Sequence, residues 1–287
     1  MNHRYLYLFV ILLGMGITAC QSDLIDGIRV DSPKKDAGSV ITMTTGRADG
    51  IISLSIDAPA QDRFGVWIDL DGDGERAEDG SEDVTLFNVY QEYTLAAGVR
   101  SVSVHGDITY LGAASNELVG IDISDNPFLT TLNVPMNRLG AIDLSANTSL
   151  ARLDVSGNNL ASLDVSSNTA LESLWVFNNE LSSLDVSKNT GLAFLDCSGN
   201  ALGTLDLSAN TQLVRLLGYN NQLNAIDVSR NVKLNRLWLF GNPFTETEIE
   251  RLVSALNEGV SGDLWITDEP LSETLAATAA AKGWTVQ

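Results

Sequence analysis

From Leu118 the apolar positions of this chain fall into a strict register: six segments of 21 residues follow one another without a gap as far as Pro243. They read LVGIDISDNPFLTTLNVPMNR, LGAIDLSANTSLARLDVSGNN, LASLDVSSNTALESLWVFNNE, LSSLDVSKNTGLAFLDCSGNA, LGTLDLSANTQLVRLLGYNNQ and LNAIDVSRNVKLNRLWLFGNP. A degenerate copy, VRSVSVHGDITYLGAASNE, precedes them. The second half of each segment alternates as L-x-x-L-x-V, the pattern of a short strand with one buried side. A single segment cannot bury its own leucines. Stacked about 4.8 Å apart, the segments form a continuous core and a parallel sheet.

A fixed period with Leu and Asn in register is the signature of a leucine-rich-repeat solenoid. The fold class expected is therefore an α/β-type leucine-rich-repeat solenoid, mostly β, with its parallel sheet on the concave face and few helices. Asn116, Asn137, Asn158, Asn179, Asn200, Asn221 and Asn242 recur at one site. Asn126, Asn147, Asn168, Asn189, Asn210 and Asn231 recur at a second. Both columns are expected to turn inward and satisfy the backbone of the turns. A third column, Asp122, Asp143, Asp164, Asp185, Asp206 and Asp227, is followed two residues later by Ser in every copy. Those serines and nearby N–H groups are expected to hold the carboxylates, a structural role, with a cation-binding strip as the alternative.

The flanks break the period. Residues 38–98 hold short alternating runs such as SVITMTTG, GIISLSIDA and FGVWIDLDG, which predict a β-rich domain that also covers the first copy. The solenoid is assigned to 99–243. Residues 244–287 predict a small α/β C-terminal cap. NPFTETEIERLVSALNEG has helical spacing, with Ile249, Leu252, Val253 and Leu256 on one side. GDLWITD then reads as a strand, PLSETLAATAAAKG as a helix and WTVQ as a final strand.

Residues 1–20 read as a signal peptide. MNHR gives a basic start, and the 14-residue apolar run YLYLFVILLGMGIT is short for a membrane span. It ends in Ile17-Thr18-Ala19-Cys20, which resembles the bacterial lipobox. That resemblance implies acylation of Cys20, a membrane contact through the lipid, and a cell-envelope location anchored to the outer membrane, on its surface or periplasmic face. Ordinary secretion is the alternative. Residues 21–37 read as a polar tether.

Charge and chemistry narrow the function. The chain carries 17 basic and 37 acidic residues, a formal charge of −20, which excludes nucleic acid as a partner. Its two cysteines cannot make a disulfide framework, and Cys197 stands where other copies have Val or Leu. Past the signal peptide the one histidine is His105, so a Ser-His-Asp or Cys-His site would have to use it. A His/Cys zinc site is excluded by count. The expectation is that this is not an enzyme.

The acidic loop DLDGDGERAEDGSED matches D-x-D-x-D-G at Asp69, Asp71, Asp73 and Gly74. Alternating oxygen ligands and a turning glycine suit Ca2+. Gly80 stands where the closing Glu is usual, so Asp79 or Glu82 would complete the site. A structural Ca2+ is expected here, with an acidic hydrated turn as the alternative.

Strand alternation also sorts the outward residues of the concave sheet into columns. The later copies load these columns with Arg152, Trp175, Phe177, Phe194, Arg215, Leu217, Tyr219, Arg236, Trp238 and Phe240. Such residue types are enriched in interface hot spots. They are the candidate ligand-binding residues. Two alternatives remain: the aromatics only pack on one another, or a flanking domain folds over them.

The LDVSxNTxLxxLxxxxNx unit resembles the repeats of bacterial internalin-type proteins, notably the internalin J group with its occasional Cys in LDCS. The layout is similar to lipid-anchored leucine-rich-repeat proteins of Bacteroidetes, with VWIDLDGDG before the repeats and AKGWTV after them. Only Cys197 is present, so no cysteine ladder is expected. The resemblance implies non-catalytic binding of a protein ligand on the concave face, in adhesion or host contact. A glycan also suits exposed Trp and Tyr. An architectural envelope protein without a ligand and a hydrolase are the alternatives.

Overall fold

The computed structural model describes residues 38–287. The signal peptide, Cys20 and the 21–37 tether lie outside the described residues. Ser39–Gln287 form one compact unit, and the boundary drawn at 98/99 falls inside it. Two sheets carry this unit. The smaller is antiparallel and contains β1 (Val40–Thr45), β3 (Trp67–Asp69), β5 (Ser101–His105) and β7 (Leu118–Asp122), in the order β3-β5-β1-β7.

The larger sheet begins with β4 (Gln91–Thr94) and β2 (Ile51–Asp57), which pair antiparallel. β2 pairs antiparallel with β6 (Tyr110–Gly112). From there every strand is parallel to the next: β8 (Thr131–Asn133), β9 (Arg152–Asp154), β10 (Ser173–Trp175), β11 (Phe194–Asp196), β12 (Arg215–Leu217) and β13 (Arg236–Trp238). In each of these strands the central Leu is fully buried and its two neighbours face outward. This is the mostly β leucine-rich-repeat architecture that the 21-residue period predicts.

The degenerate copy divides between the sheets. Its first half is β5, which pairs with β1 and β3; only Tyr110–Gly112 enters the solenoid. The first full copy does likewise, because LVGID forms β7 against β1. Alternation fixes which side chains are buried but not whether the partner strand is parallel, so the pattern could not separate these segments from the repeats.

The ladder at Asn137 to Asn242 works as its position predicts. Asn179 donates its amide to the carbonyls of Val155 (3.0 Å), Val176 (3.1 Å) and Phe177 (3.4 Å), and its Oδ1 accepts from the Leu160 N–H (3.0 Å). Each rung thus ties its own turn to the previous copy. Asn116, the first rung, bonds β2 instead: its amide donates to the Ser53 carbonyl (2.7 Å) and its Oδ1 accepts from the Ser53 N–H (2.8 Å). The residue before each of these asparagines has positive φ: Met136 (55°), Gly157 (62°), Asn178 (52°), Gly199 (63°), Asn220 (53°) and Gly241 (67°). The alternation of Gly and Asn in that column follows from the left-handed backbone the turn demands.

The second ladder is only half used. Asn168 donates to the carbonyls of Leu144 (3.0 Å) and Asn147 (2.9 Å). Among the described residues its Oδ1 is buried without a hydrogen-bond partner, as is that of every other member of the column. The physical reason lies in the turn. The Asn168 and Leu171 N–H groups are already spent on the Val165 and Asn168 carbonyls. These tight turns link successive strands, and no helix is described between β8 and β13.

Beyond β13 the chain forms α1 (Glu246–Ala255), β14 (Gly262–Trp265), α2 (Glu273–Ala281) and β15 (Trp284–Val286). The Thr245 hydroxyl caps α1 by accepting from the Glu248 N–H, and the Ser272 hydroxyl caps α2 from the Leu275 N–H. β14 and β15 continue the solenoid sheet in parallel register rather than covering its end with a separate layer. Trp284 is buried, and its indole N–H donates to the Asn257 carbonyl (3.0 Å). No described helix is long and apolar enough to cross a membrane.

Candidate functional site

The concave sheet carries two aromatic groups with a polar gap between them. In the first, the Trp175 and Phe194 rings lie 4.8 Å apart, tilted by 36°. Phe177 is partly buried on the turn after β10. The gap consists of Asp196 and Ser198: the Ser198 hydroxyl donates to Asp196 Oδ1 (2.6 Å), and the Ser198 N–H donates to the same oxygen (3.1 Å). The second group is larger. Tyr219 stacks on Phe240 (4.6 Å, 5°), Phe240 on Trp265 (4.1 Å, 28°), and Trp238 meets Trp265 edge-on (6.1 Å, 74°). Leu217 lies in register between Asp196 and Trp238.

This arrangement explains aromatics on an open face. None of the named rings is fully exposed; each is partly buried by its neighbour along the sheet. The cap does not fold over them but adds Trp265 and Asp263 to their columns, in register with Trp238 and Arg236. The sequence held a signal for this, because DLWI in β14 repeats the RLWL of β13. The inserted α1 moves it off the 21-residue period, so the columns set by the repeats end at Phe240.

Of the three column arginines, Arg236 is tied down. Its Nε lies 3.2 Å from Asp263 Oδ2, and its guanidinium sits 5.0 Å from the Trp238 ring centroid. The Trp238 indole N–H donates to the same Asp263 oxygen (3.1 Å). Arg152 and Arg215 are exposed. Between Arg152 and Trp175 lies a hollow of about 230 Å³, lined also by Thr131, Asn133 and Asp154. Tyr90 reaches the N-terminal end of the face from outside the repeats. Its hydroxyl and that of Tyr110 lie 2.8 and 2.7 Å from where a Cβ on Gly112 would stand, so a side chain there would push the two phenol ends aside.

Asp196 is buried, and burial raises its carboxyl pKa above the ordinary value against the opposing bonds from Ser198. A raised folded-state pKa contributes stability below the unfolded value of about 3.9, lost as pH rises through the folded pKa. Asp196→Asn, which can still accept from Ser198, is therefore expected to raise the melting temperature at pH 7 and to leave it unchanged near pH 3. A stabilisation equal at both pH values would contradict the burial of a charge.

The Asp122 to Asp227 column lies away from this face and is structural. Each Oδ1 accepts from the N–H of the Ser two residues on, at 2.9–3.0 Å. These bonds together with those of the serine hydroxyls, the hydroxyl leading at Asp164, hold the carboxyls below their usual pKa. Cys197 is fully buried, and burial pushes its thiol up to about 12. The His105 ring lies flat against Trp67 in the smaller sheet (3.8 Å, 4°), and none of the concave columns holds a histidine or cysteine among the described residues.

In the acidic loop Asp69, Asp71 and Glu82 converge, with one oxygen of each within 4.8 Å of the others. Asp69 and Glu82 are buried. Asp69 accepts from the N–H groups of Gly72 (2.7 Å) and Gly74 (3.1 Å), and Glu82 from those of Leu70 (2.7 Å) and Ala77 (2.9 Å). These bonds shape the loop and leave carboxylate lone pairs over. Asp73 and Asp79 fall outside the cluster; their Oδ1 atoms accept from the Glu75 (2.7 Å) and Ser81 (2.9 Å) N–H groups. Of the two residues that could close the loop, Glu82 is the one brought in.

No protein-family model and no curated protein matches the chain. Solved structures do. The functional domain of InlJ from Listeria monocytogenes, which includes a cysteine ladder, is 26% identical over 62% of this chain and 45% of its own, with a TM-score of 0.50. The leucine-rich-repeat protein LIC12759 of Leptospira interrogans is 27% identical over 47% of this chain and 37% of its own, with a TM-score of 0.45. The internalin InlF of Listeria monocytogenes is 21% identical over 56% of this chain and 48% of its own, with a TM-score of 0.49. The chain thus spans less than half the length of these structures, and its fold is that of an internalin-like leucine-rich-repeat protein.

Proposed function

We propose that this internalin-like solenoid is a non-catalytic cell-envelope module that binds a protein through its concave face, in adhesion or host contact. One observation carries the reading: two aromatic groups and two exposed arginines share a single sheet face. Solenoids use such concave surfaces for recognition, and these residue types dominate interface energetics. An acyl anchor on Cys20 would hold the module at the outer membrane. A glycan is the second reading, favoured by the hollow that Trp175 lines together with Thr131 and Asn133. The test is a screen of the full-length chain against host-surface proteins and a glycan array. A specific protein ligand supports the reading, a hit on glycans alone favours the second, and no hit of either kind favours an architectural role.

The acidic loop is proposed to hold a structural Ca2+ through Asp69, Asp71 and Glu82. Three carboxylates this close repel one another unless a cation joins them, and hard oxygen donors suit calcium. Calcium is expected to raise the melting temperature, and Glu82→Gln to abolish most of that rise. A melting temperature indifferent to calcium and to chelator would leave the loop a hydrated turn.

A further inference from the structure

We propose that the centre of the concave face recognises an extended acidic segment of its partner protein, with carboxylates at positions i and i+4 and an apolar side chain at i+2. This rests on the reading of that face as a protein-binding surface. Charge is the first argument. Arg47, Arg63, Arg76, Arg138, Arg236 and Arg251 each form an ion pair. Arg100, Arg152, Arg215 and Arg230 form none with the described residues, and of these four only Arg152 and Arg215 stand in the concave column, on a chain with a formal charge of −20. Two exposed guanidiniums left free on so acidic a protein are available to carboxylates from outside. Arg takes these in a bidentate fork.

Spacing is the second argument. Arg152, Ser173, Phe194 and Arg215 are successive register partners, so the two arginines are three strand steps apart. At about 4.8 Å per step the separation is about 14 Å. A peptide lying extended across the strands advances about 3.4 Å per residue, so its residues i and i+4 are also about 14 Å apart. Residues i, i+2 and i+4 share one face of such a peptide. The side chain at i+2 then falls midway, where the Trp175 and Phe194 rings lie 4.8 Å apart.

The neighbouring groups sharpen the choice. The hollow beside Arg152 has about 230 Å³, below the roughly 300–1,000 Å³ of drug-sized sites and suited to a single side chain. Thr131 and Asn133 line it and supply further donors. Asp154 and Asp196 occupy the adjacent column, each held by the serine two residues on. Their charge repels a continuous polyanion, so only acids spaced to reach the arginines are accepted.

The experiment is to pan a displayed random-peptide library against the full-length chain and to measure the winning peptides on variants. Winners are expected to carry Asp or Glu at i and i+4 with Leu, Phe or Tyr at i+2. Their affinity should fall with added salt, and by about tenfold in each of Arg152→Gln and Arg215→Gln, as for loss of a charged hydrogen bond. Both arginines are exposed, so these variants leave the core intact. Peptides that need Trp175 but lack the acid spacing, or that bind the double arginine variant fully, overturn the proposal and leave the protein-binding reading standing. Failure to find any peptide whose binding depends on Trp175 counts against both.

Discussion

Asn179→Ala is expected to destabilise the solenoid by about 2–4 kcal/mol, the cost of one stranded buried N–H together with the cavity and the lost donor bonds. The three carbonyls that the amide serves do not suffer most. Val155 and Val176 also accept from the amides of Asn158 and Asn200, and Phe177 from the Gly157 N–H. The loss concentrates on the Leu160 N–H, which donates to Asn179 Oδ1. The equivalent change in the second ladder, Asn168→Ala, strands no N–H, because Asn168 Oδ1 accepts nothing. Its two acceptor carbonyls keep the Asn147 and Leu150 N–H groups. Asn168→Ala should therefore cost clearly less. Chemical denaturation of the two variants side by side checks the difference, and equal or reversed losses would mean that the ladders have been misread.

Trp175→Ala is expected to weaken ligand binding by at least about thirtyfold, the range of a hot-spot residue losing 2 kcal/mol or more. Its stability should fall little. Among the described residues Trp175 has one ring partner, Phe194, and such a pair adds about 0.5–1.5 kcal/mol beyond its buried area. Trp238→Ala should behave differently. That ring bonds Asp263, carries Arg236 and meets Trp265, so removing it loosens the join between β13 and β14. The two tryptophans looked equivalent in the sequence. The structure makes Trp175 the clean reporter of binding and Trp238 a mixed one. Calorimetry on both variants, with the ligand that the screen returns, separates the effects. A large loss of stability in Trp175→Ala with unchanged affinity would make it a packing residue.

What could be read from the sequence follows from where the physics is periodic. The ladder asparagines, the central leucines and the concave columns were legible because one copy fixes the next. Trp265 and Asp263 escaped because α1 displaces β14 from the period, although the two strands share their L-W pattern. Tyr90 was out of reach, since it arrives at Gly112 from another part of the chain and belongs to no column. The division of the degenerate copy between two sheets was hidden for a similar reason: β5 alternates like any repeat strand, and only its partners β1 and β3 reveal where it belongs. In the acidic loop the motif gave Asp69 and Asp71 directly. Glu82 was one of two alternatives until the fold brought it against them and left Asp79 outside.

The central claim is that the concave face is the recognition surface, and hydroxyl-radical footprinting tests it most directly. Oxidation of Trp175, Phe194, Tyr219, Phe240 and Trp265 would be compared with and without bound ligand, beside exposed residues elsewhere such as Phe64 and Val232. The account predicts protection at the concave rings, centred on Trp175 and Phe194, and none at Phe64 or Val232. Protection at Phe64 or along the convex turns, with the concave rings oxidised as before, would contradict it.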